Sequence, residues 1–333
     1  MKLLILYGLF CVKTVTVIFI IVICFILIMN IFQRNKIPDE ELSLTSLSDN
    51  YQKMKEQMQL VKMNPYEQKR WLKQKKKEEK RKNKDYKQNN SSPAIPTLYV
   101  IDFTGDIYAS QVNSLRKEIS AILAVANTGD EVVLRLESSG GIVHGYGLAS
   151  SQLQRIRNAG LRLTTTVDKI AASGGYMMAC VADSIVAAPF AIIGSIGVVS
   201  QFPNFHRLLK RNNIDIELHT AGQYKRTLTL FGKNTPDDRK KFREDLCEIH
   251  KLFKSFVHEM RPTLDIDRVA NGDHCYGKQA LSEGLIDVIA TSDEFIINSM
   301  KNFNVIKVQY VPPKKTLFQR ISHSMNIFME HFF

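Results

Sequence analysis

Between residues 98 and 199, short apolar runs alternate with stretches of helical spacing, and this alternation restricts the chain to an α/β fold with a largely parallel sheet. Residues 98–103 and 132–136 are apolar strand patterns. Between them Val112, Leu115, Ile119, Ile122 and Ala126 recur at helical spacing. Residues 146–156 read as a helix, 161–167 as a strand, 173–182 as a helix, and 185–188 and 192–199 as short strand-like runs. Further on, 214–219 is strand-like, 237–257 is a long amphipathic helix, and 276–287 is a helix closed by Gly284 and followed by a strand. The run 185–199 is apolar enough to suggest a membrane span, but Pro189, Gly194 and Gly197 divide it into strand-length pieces.

A different kind of segment precedes this domain. Residues 15–29 contain one threonine and no charge, and with its flanks the apolar run 3–32 exceeds the roughly 20 residues that span a bilayer. A cleaved signal peptide has a shorter apolar region, about 7–15 residues, ending in small residues. This run ends Ile-Met-Asn-Ile-Phe-Gln-Arg, so residues 1–33 read as an uncleaved anchor. Lys2 and Lys13 on one side are matched by Arg34 and Lys36 on the other, so charge does not orient it. Residues 34–96 read as a charged linker with one helical stretch. Residues 34–92 hold 16 Lys/Arg against 9 Asp/Glu, seven of the chain's net +12, so the basic character belongs to the linker and not to the folded domain. Within it, 69–87 carries 11 basic and 3 acidic residues and reads as a solvated helix or spacer, with anionic lipid or nucleic acid as the alternative. Asn89-Asn90-Ser91-Ser92-Pro93 marks a boundary.

The folded domain is expected over 97–300, with an amphipathic segment over 301–333. There Leu317, Ile321, Met325, Phe328 and Phe332 step by 4, 4, 3 and 4 along one helical face, suited to docking on the protein or a neighbouring subunit. The five cysteines include two in the apolar run, and the other three are far apart with no C-x-x-C. Neither a disulfide framework nor a metal site is indicated, and no cofactor motif is present.

Chemistry concentrates in Asp168-Lys-Ile-Ala-Ala-Ser173-Gly174-Gly175-Tyr-Met-Met-Ala-Cys180. Ser173 is followed by two glycines and then a helical pattern, so its hydroxyl stands at a helix start beside bare N–H groups. That arrangement can hold an attacked carbonyl and stabilise its oxyanion, or it can be an ordinary capping serine. A serine nucleophile needs a base. His144, after the Gly140-Gly141 turn, is the candidate for a histidine-based triad, with no acid assigned. Lys225, in Ala221-Gly-Gln-Tyr-Lys-Arg-Thr227, is the other. Lysine's reference pKa of about 10.4 must fall by about 3 units for such a role, which burial can supply.

The segments ESSGGIVHGYGLASSQL, DKIAASGGYMMACVAD, IGSIGVV, IELHTAGQYKRTLT and YGKQALSEGLID, in that order, resemble the signal peptide peptidase A family of serine proteases, and most closely its membrane-anchored SohB branch. The resemblance runs from about residue 97 to about 287, and the anchor and charged linker suit the same branch. It implies a ClpP/crotonase-like fold of repeated βα units carrying a Ser/Lys dyad. Ser173 would be the nucleophile and Lys225 the general base. Gly174 N–H and an N–H of the Gly140-Gly141 turn would form the oxyanion hole, and Ser195 would orient the lysine amine. Family members often carry proline where Ser139 stands, a departure that bears on the geometry of that turn. The resemblance further implies a homo-oligomer in which neighbours can share a site, polypeptide or signal-peptide substrates, and a bacterial inner membrane with the catalytic domain on the periplasmic side. Nucleic acid is not an expected partner.

Two other functions compete with a membrane-tethered endopeptidase. A crotonase-like acyl-CoA hydratase or isomerase would share the glycine turns but wants a carboxylate at the reacting carbon, and across 137–153 and 170–180 Glu137 is the sole acidic residue. A catalytically inactive oligomeric scaffold would have no need of the Ser173/Lys225 pair.

Overall fold

In the computed structural model of the chain, residues 13–17, 20, 41–88, 95–222 and 224–311 are described. The chain divides into a large compact unit, Ser43–Tyr310, and a small one made of Met1–Leu42 with Val311–Phe333. The expected C-terminal helical face at 317–332 and nearly all of the expected anchor lie outside the described residues. Residues 13–17 and 20 are helical, with Val15, Val17 and Ile20 exposed. Among the described residues no helix is long and apolar enough to cross a membrane.

The elements follow in order: β1 (Glu41–Ser46), α1 (Leu47–Lys62), α2 (Pro65–Gln88), β2 (Thr97–Gly105), α3 (Val112–Val125), β3 (Glu131–Ser138), α4 (Val143–Asn158), β4 (Arg162–Val167), β5 (Ile170–Ala172) and α5 (Gly174–Ala179). Then come β6 (Ser184–Ala187), β7 (Ile192–Gly194), α6 (His206–Arg211), α7 (Pro236–Met260), α8 (Ile266–Val269), β8 (His274–Tyr276), α9 (Gly277–Ser282), β9 (Val288–Ile289), α10 (Ser292–Ser299) and β10 (Asn304–Val311). The main sheet runs β1-β10-β2-β3-β4-β6-β9. From β10 to β9 its pairings are parallel. This mixed α/β architecture with a mostly parallel sheet fits the ClpP-like fold that the resemblance implies.

The central strands are apolar on both faces because helices cover both. Along β2, Tyr99, Ile101 and Phe103 point to the face packed by Leu115, Ile119 and Ile122 of α3 and Leu153 and Ile156 of α4. The alternate residues Leu98 and Val100 join Val133, Val305 and Ile296 on the other face, with Leu47 of α1 beside them. This is the two-residue period of a strand read against two layers. The apolar stripe of α3 is buried at the spacing read from the sequence, Val112, Leu115, Ile119 and Ile122.

A short second layer positions the chemistry. β5 leaves the main sheet by pairing Ala171 with Ser138, the last residue of β3, and then runs parallel to β7. β8 closes this layer antiparallel to β7. The ends of β3 and β5 therefore converge.

The structure departs from the sequence reading in several places. The linker expected to hold one helix holds β1 and two helices. Asn64 separates α1 from α2 by a reciprocal cap: its side chain accepts from Tyr66 and Glu67 N–H at 3.1 and 2.9 Å, and its own N–H donates to Glu67 at 3.1 Å. The strand-like run 192–199 pairs only through Gly194, because Ser195 turns away with φ 51°. Residues 214–219 form no strand, and no backbone bond ties 215–221 to a neighbour among the described residues. The helix expected at 173–182 is six residues, Gly174–Ala179.

One buried charge stands apart from the apolar core. Glu118 on α3 is 4% exposed and accepts a 2.8 Å hydrogen bond from Tyr310 N–H on β10. Burial pushes its carboxyl up from 4.5 to about 7, against the Tyr310 N–H, which favours the ionised form. An acid whose pKa is higher folded than unfolded binds more protons in the folded state, so its contribution falls as pH rises from 4.5 to about 7. We expect urea unfolding of the Glu118→Gln variant to lack this decline, and to gain on the order of 3 kcal/mol relative to the parent between pH 5 and pH 8. Parallel pH profiles of the two proteins would contradict the assignment.

Candidate active site

Ser173 occupies the junction of β5 and α5 with φ 52° and ψ −119°. A side chain in that region costs of order 1–3 kcal/mol and persists only where its surroundings hold it. Here Ser173 N–H donates to Gly194 O at 2.8 Å, and Ser173 O accepts from Met177 N–H at 2.9 Å. The Ser173 side chain makes no capping bond to α5, which removes the capping alternative. Ser173 lines a cleft of about 1220 Å³ together with Gly140, Gly141, Gly174 and Ser195.

The Gly140-Gly141 turn at the end of β3 is pressed against this junction. Gly140 has φ +88°, and a Cβ there would stand 2.6 Å from Gly174 N and 2.8 Å from Ser173 Cβ. On the other side, a Cβ at Gly141 would stand 2.1 Å from Ile107 O. The turn fits only as glycine at both positions. The Gly140 N–H donates to Ser138 Oγ at 3.1 Å. Gly141 N–H and Gly174 N–H have no acceptor among the described residues.

Proton accounting fixes the direction of the bonds behind the turn. Tyr146 Oη donates its one proton to Asp106 O at 2.7 Å. Ser138 Oγ, 2.7 Å from Tyr146 Oη, is therefore the donor to it, and remains free to accept from Gly140 N–H. The relay Gly140 → Ser138 → Tyr146 → Asp106 is buried as far as Tyr146 and ends at the exposed Asp106. The Tyr146 ring also lies against the Gly174 backbone, where a Cβ would meet Tyr146 Cγ at 2.5 Å. One tyrosine thus braces both glycine segments beside Ser173. The relay thus holds the turn from behind at Gly140, next to Ser139.

Ser195 follows Gly194, whose carbonyl holds Ser173, and has φ 51°. Its N–H donates to Asp273 O at 2.8 Å and its hydroxyl to Gly272 O at 3.3 Å, and the residue lines the cleft. The cleft's apolar wall comes from α7 through Leu252, Phe253 and Phe256, with Met177 of α5 beside them.

The two candidate bases are placed differently. His144 lines the cleft, but none of the described carboxylates is hydrogen-bonded to it and none lines the cleft. A histidine triad lacks its orienting acid, and a crotonase-type reaction lacks its carboxylate. Lys225 is exposed, is absent from the cleft lining, and makes no hydrogen bond to Ser173. The single chain therefore brings Ser173, Gly140, Gly141, Gly174 and Ser195 together and leaves Lys225 apart. Among the described residues no group of three or more His, Cys, Asp or Glu side chains is placed to hold a metal ion.

Residues 2–153 match the family described as peptidase family S49 N-terminal, and residues 155–306 match peptidase family S49. The chain belongs to peptidase family S49. Within it the chain falls in the SohB branch. A probable protease SohB from Buchnera aphidicola subsp. Acyrthosiphon pisum is 55% identical over 330 residues, covering 95% of this chain and 93% of that protein. Another from Haemophilus influenzae is 47% identical over 313 residues, covering 91% of this chain and 88% of that protein. The chain is a peptidase.

Sequence reasoning missed Ser138, Tyr146 and the aromatic wall of α7. Phe253 and Phe256 lie on the helix that the sequence shows as amphipathic over 237–257; Phe253 is buried, and both line the cleft. The signal for Tyr146 was its position one turn after a double glycine, which a helical apolar pattern absorbed without remainder.

Tyr146→Phe keeps the ring and deletes the relay. We expect kcat to fall about tenfold to a hundredfold with KM nearly unchanged, because the loosened donors act on developing charge. Thermal unfolding of the same variant should show a loss of about 1–2 kcal/mol from the unpaired buried groups. Unchanged kcat would contradict the bracing role.

Proposed function

We propose that this S49 peptidase is a membrane-anchored serine endopeptidase using Ser173 as nucleophile and Lys225 as general base. The observation that carries the reading is the Ser173 junction: a strained, uncapped serine held beside two N–H groups, those of Gly141 and Gly174, that have no acceptor. Attack of Ser173 Oγ on a peptide carbonyl gives a tetrahedral oxyanion, which these two N–H groups would receive. The base takes the Oγ proton and returns it to the leaving amine, leaving an acyl-enzyme that water then hydrolyses. Ser195 Oγ, with its own proton committed to Gly272 O, is free to accept from a lysine amine and orient it. The cleft exceeds the roughly 300–1,000 Å³ of a small-molecule site and has an apolar wall, which suits unfolded polypeptide or residual signal peptide.

The partner of Ser173 is the Lys225 of a second copy. Lys225 sits on an exposed stretch in which Ile214, Ile216 and Leu218 are each about half exposed (48%, 49% and 49%) and the backbone of 215–221 is unpaired. Such an edge is a template for another chain. A lysine acts as a base only where burial disfavours its ammonium form, and an enclosing neighbour supplies that burial. The anchor is the apolar run 3–32, whose described residues Val15, Val17 and Ile20 are helical and exposed. The membrane is the bacterial inner membrane, with the catalytic domain on the periplasmic side, testable by protease accessibility in spheroplasts.

Casein or peptide hydrolysis by Ser173→Ala and by Lys225→Ala should each fall at least about a thousandfold. Mixing the two inactive proteins should restore part of the activity, since a mixed assembly pairs an intact Ser173 with an intact Lys225. Wild-type hydrolysis by either variant contradicts the dyad, and a mixture that stays inactive contradicts the shared site.

A further inference from the structure

We propose that helix α2 is a docking surface for anionic phospholipid headgroups. Among the described side chains Trp71, Gln74, Lys75 and Glu78 face Asp49, Gln52, Lys53 and Glu56 of α1 across a polar groove. Lys75 pairs with Glu56 and lies 5.6 Å over the Trp71 ring. Gln68 ties the helix to the end of α1, donating to Leu60 O at 2.9 Å and Met63 O at 3.2 Å.

The opposite side is basic. Lys69, Lys73, Lys76, Lys77 and Lys80 follow one another by 4, 3, 1 and 3 residues, with Arg70 and Arg81 flanking. At 100° per residue these seven side chains fall within an arc of about 140°. All seven are exposed, and none forms an ion pair among the described residues. The acids Glu67 and Glu78 lie off the arc, one in the Asn64 cap and the other in the groove. Tyr66, 78% exposed, sits on the basic arc in the first turn, an amphipathic ring of the kind that seats at headgroup depth. A solvated helix gains nothing from such segregation, since mixed charges serve solubility and i,i+4 pairing better. A planar sheet of phosphates is matched by a straight row of cations along one helix face.

Chain length favours a bilayer over nucleic acid as the source of those phosphates. Residues 33–46 separate the apolar run from α1, at most about 50 Å of extended chain. The helix is therefore held near any membrane the run enters. The inference takes proximity from the anchor reading, but the charge pattern stands without it.

Trp71 is the chain's one tryptophan and lies on α2, so it reports on this helix alone. The full-length protein is reconstituted in vesicles of phosphatidylcholine, or of phosphatidylcholine with about 30% phosphatidylglycerol, each carrying a trace of dansyl-labelled headgroup. Co-flotation with neutral vesicles tests the anchor. Energy transfer from Trp71 to dansyl tests the helix. We expect transfer to rise in the anionic vesicles, and to fall back at about 0.5 M salt and in a Lys69→Gln/Lys73→Gln/Lys76→Gln/Lys80→Gln variant that retains peptidase activity. Equal transfer in the two vesicle types, or a rise that survives the four substitutions, overturns the proposal. So does tight binding of single-stranded RNA by a helix that does not respond to anionic lipid. A protein that fails to float with neutral vesicles but shows the anionic response refutes the anchor and leaves the helix surface standing.

Discussion

The site depends on how closely two backbone segments approach. Gly140 stands so near the Ser173-Gly174 junction that a single added carbon would sit 2.6 Å from Gly174 N. That approach exists because β5 leaves the main sheet at the last residue of β3, pairing Ala171 with Ser138. It is kept by bonds on both sides: Ser173 N–H to Gly194 O in front, and the Ser138–Tyr146–Asp106 relay behind. The parallel sheet serves to bring two strand ends to one place. Unfavourable backbone angles at Ser173 and Ser195 are the local cost, borne by the rigid layers around them.

On the proposed reading one chain supplies the acyl-accepting side and a second copy the proton-accepting side. Ser173, Gly141, Gly174, Ser195 and an apolar wall line one cleft. The lysine sits on an exposed stretch rich in uncovered apolar side chains. On the proposed reading, assembly would bury those side chains, satisfy an unpaired backbone and desolvate the base in one event. Activity would then be conditional on assembly, a physical safeguard for a hydrolase with an open cleft. On the proposed lipid docking, α1 and α2 would add a second geometric constraint, holding the body near a surface that matches their charge.

How much of this was legible in the sequence varied with the range of the interactions. Strands β2, β3 and β4 and helices α3, α4 and α7 follow from apolar periodicity, because their burial is what that periodicity encodes. Strand β5 did not emerge, since three residues carry no period. The run 214–219 has a strand's composition without a strand's partner, and composition cannot distinguish the two. The linker read as holding one helical stretch, and α1 stayed hidden because its contact with α2 is polar, through Glu56, Lys75 and Gln68, and carries no apolar stripe. Ser173 and its glycines were visible as a motif. The Tyr146 relay was not, because it joins residues 106, 138, 140 and 146 through a fold and not through spacing.

The central claim is that Ser173 becomes a covalent nucleophile only when a lysine takes its proton. Intact-mass and peptide-mapping analysis after reaction with a serine-directed phosphonate reads this directly. One adduct on Ser173 in the assembled wild-type protein, absent from Lys225→Ala, is the predicted result. An adduct on another residue, or Ser173 labelling undiminished in Lys225→Ala, would contradict the account.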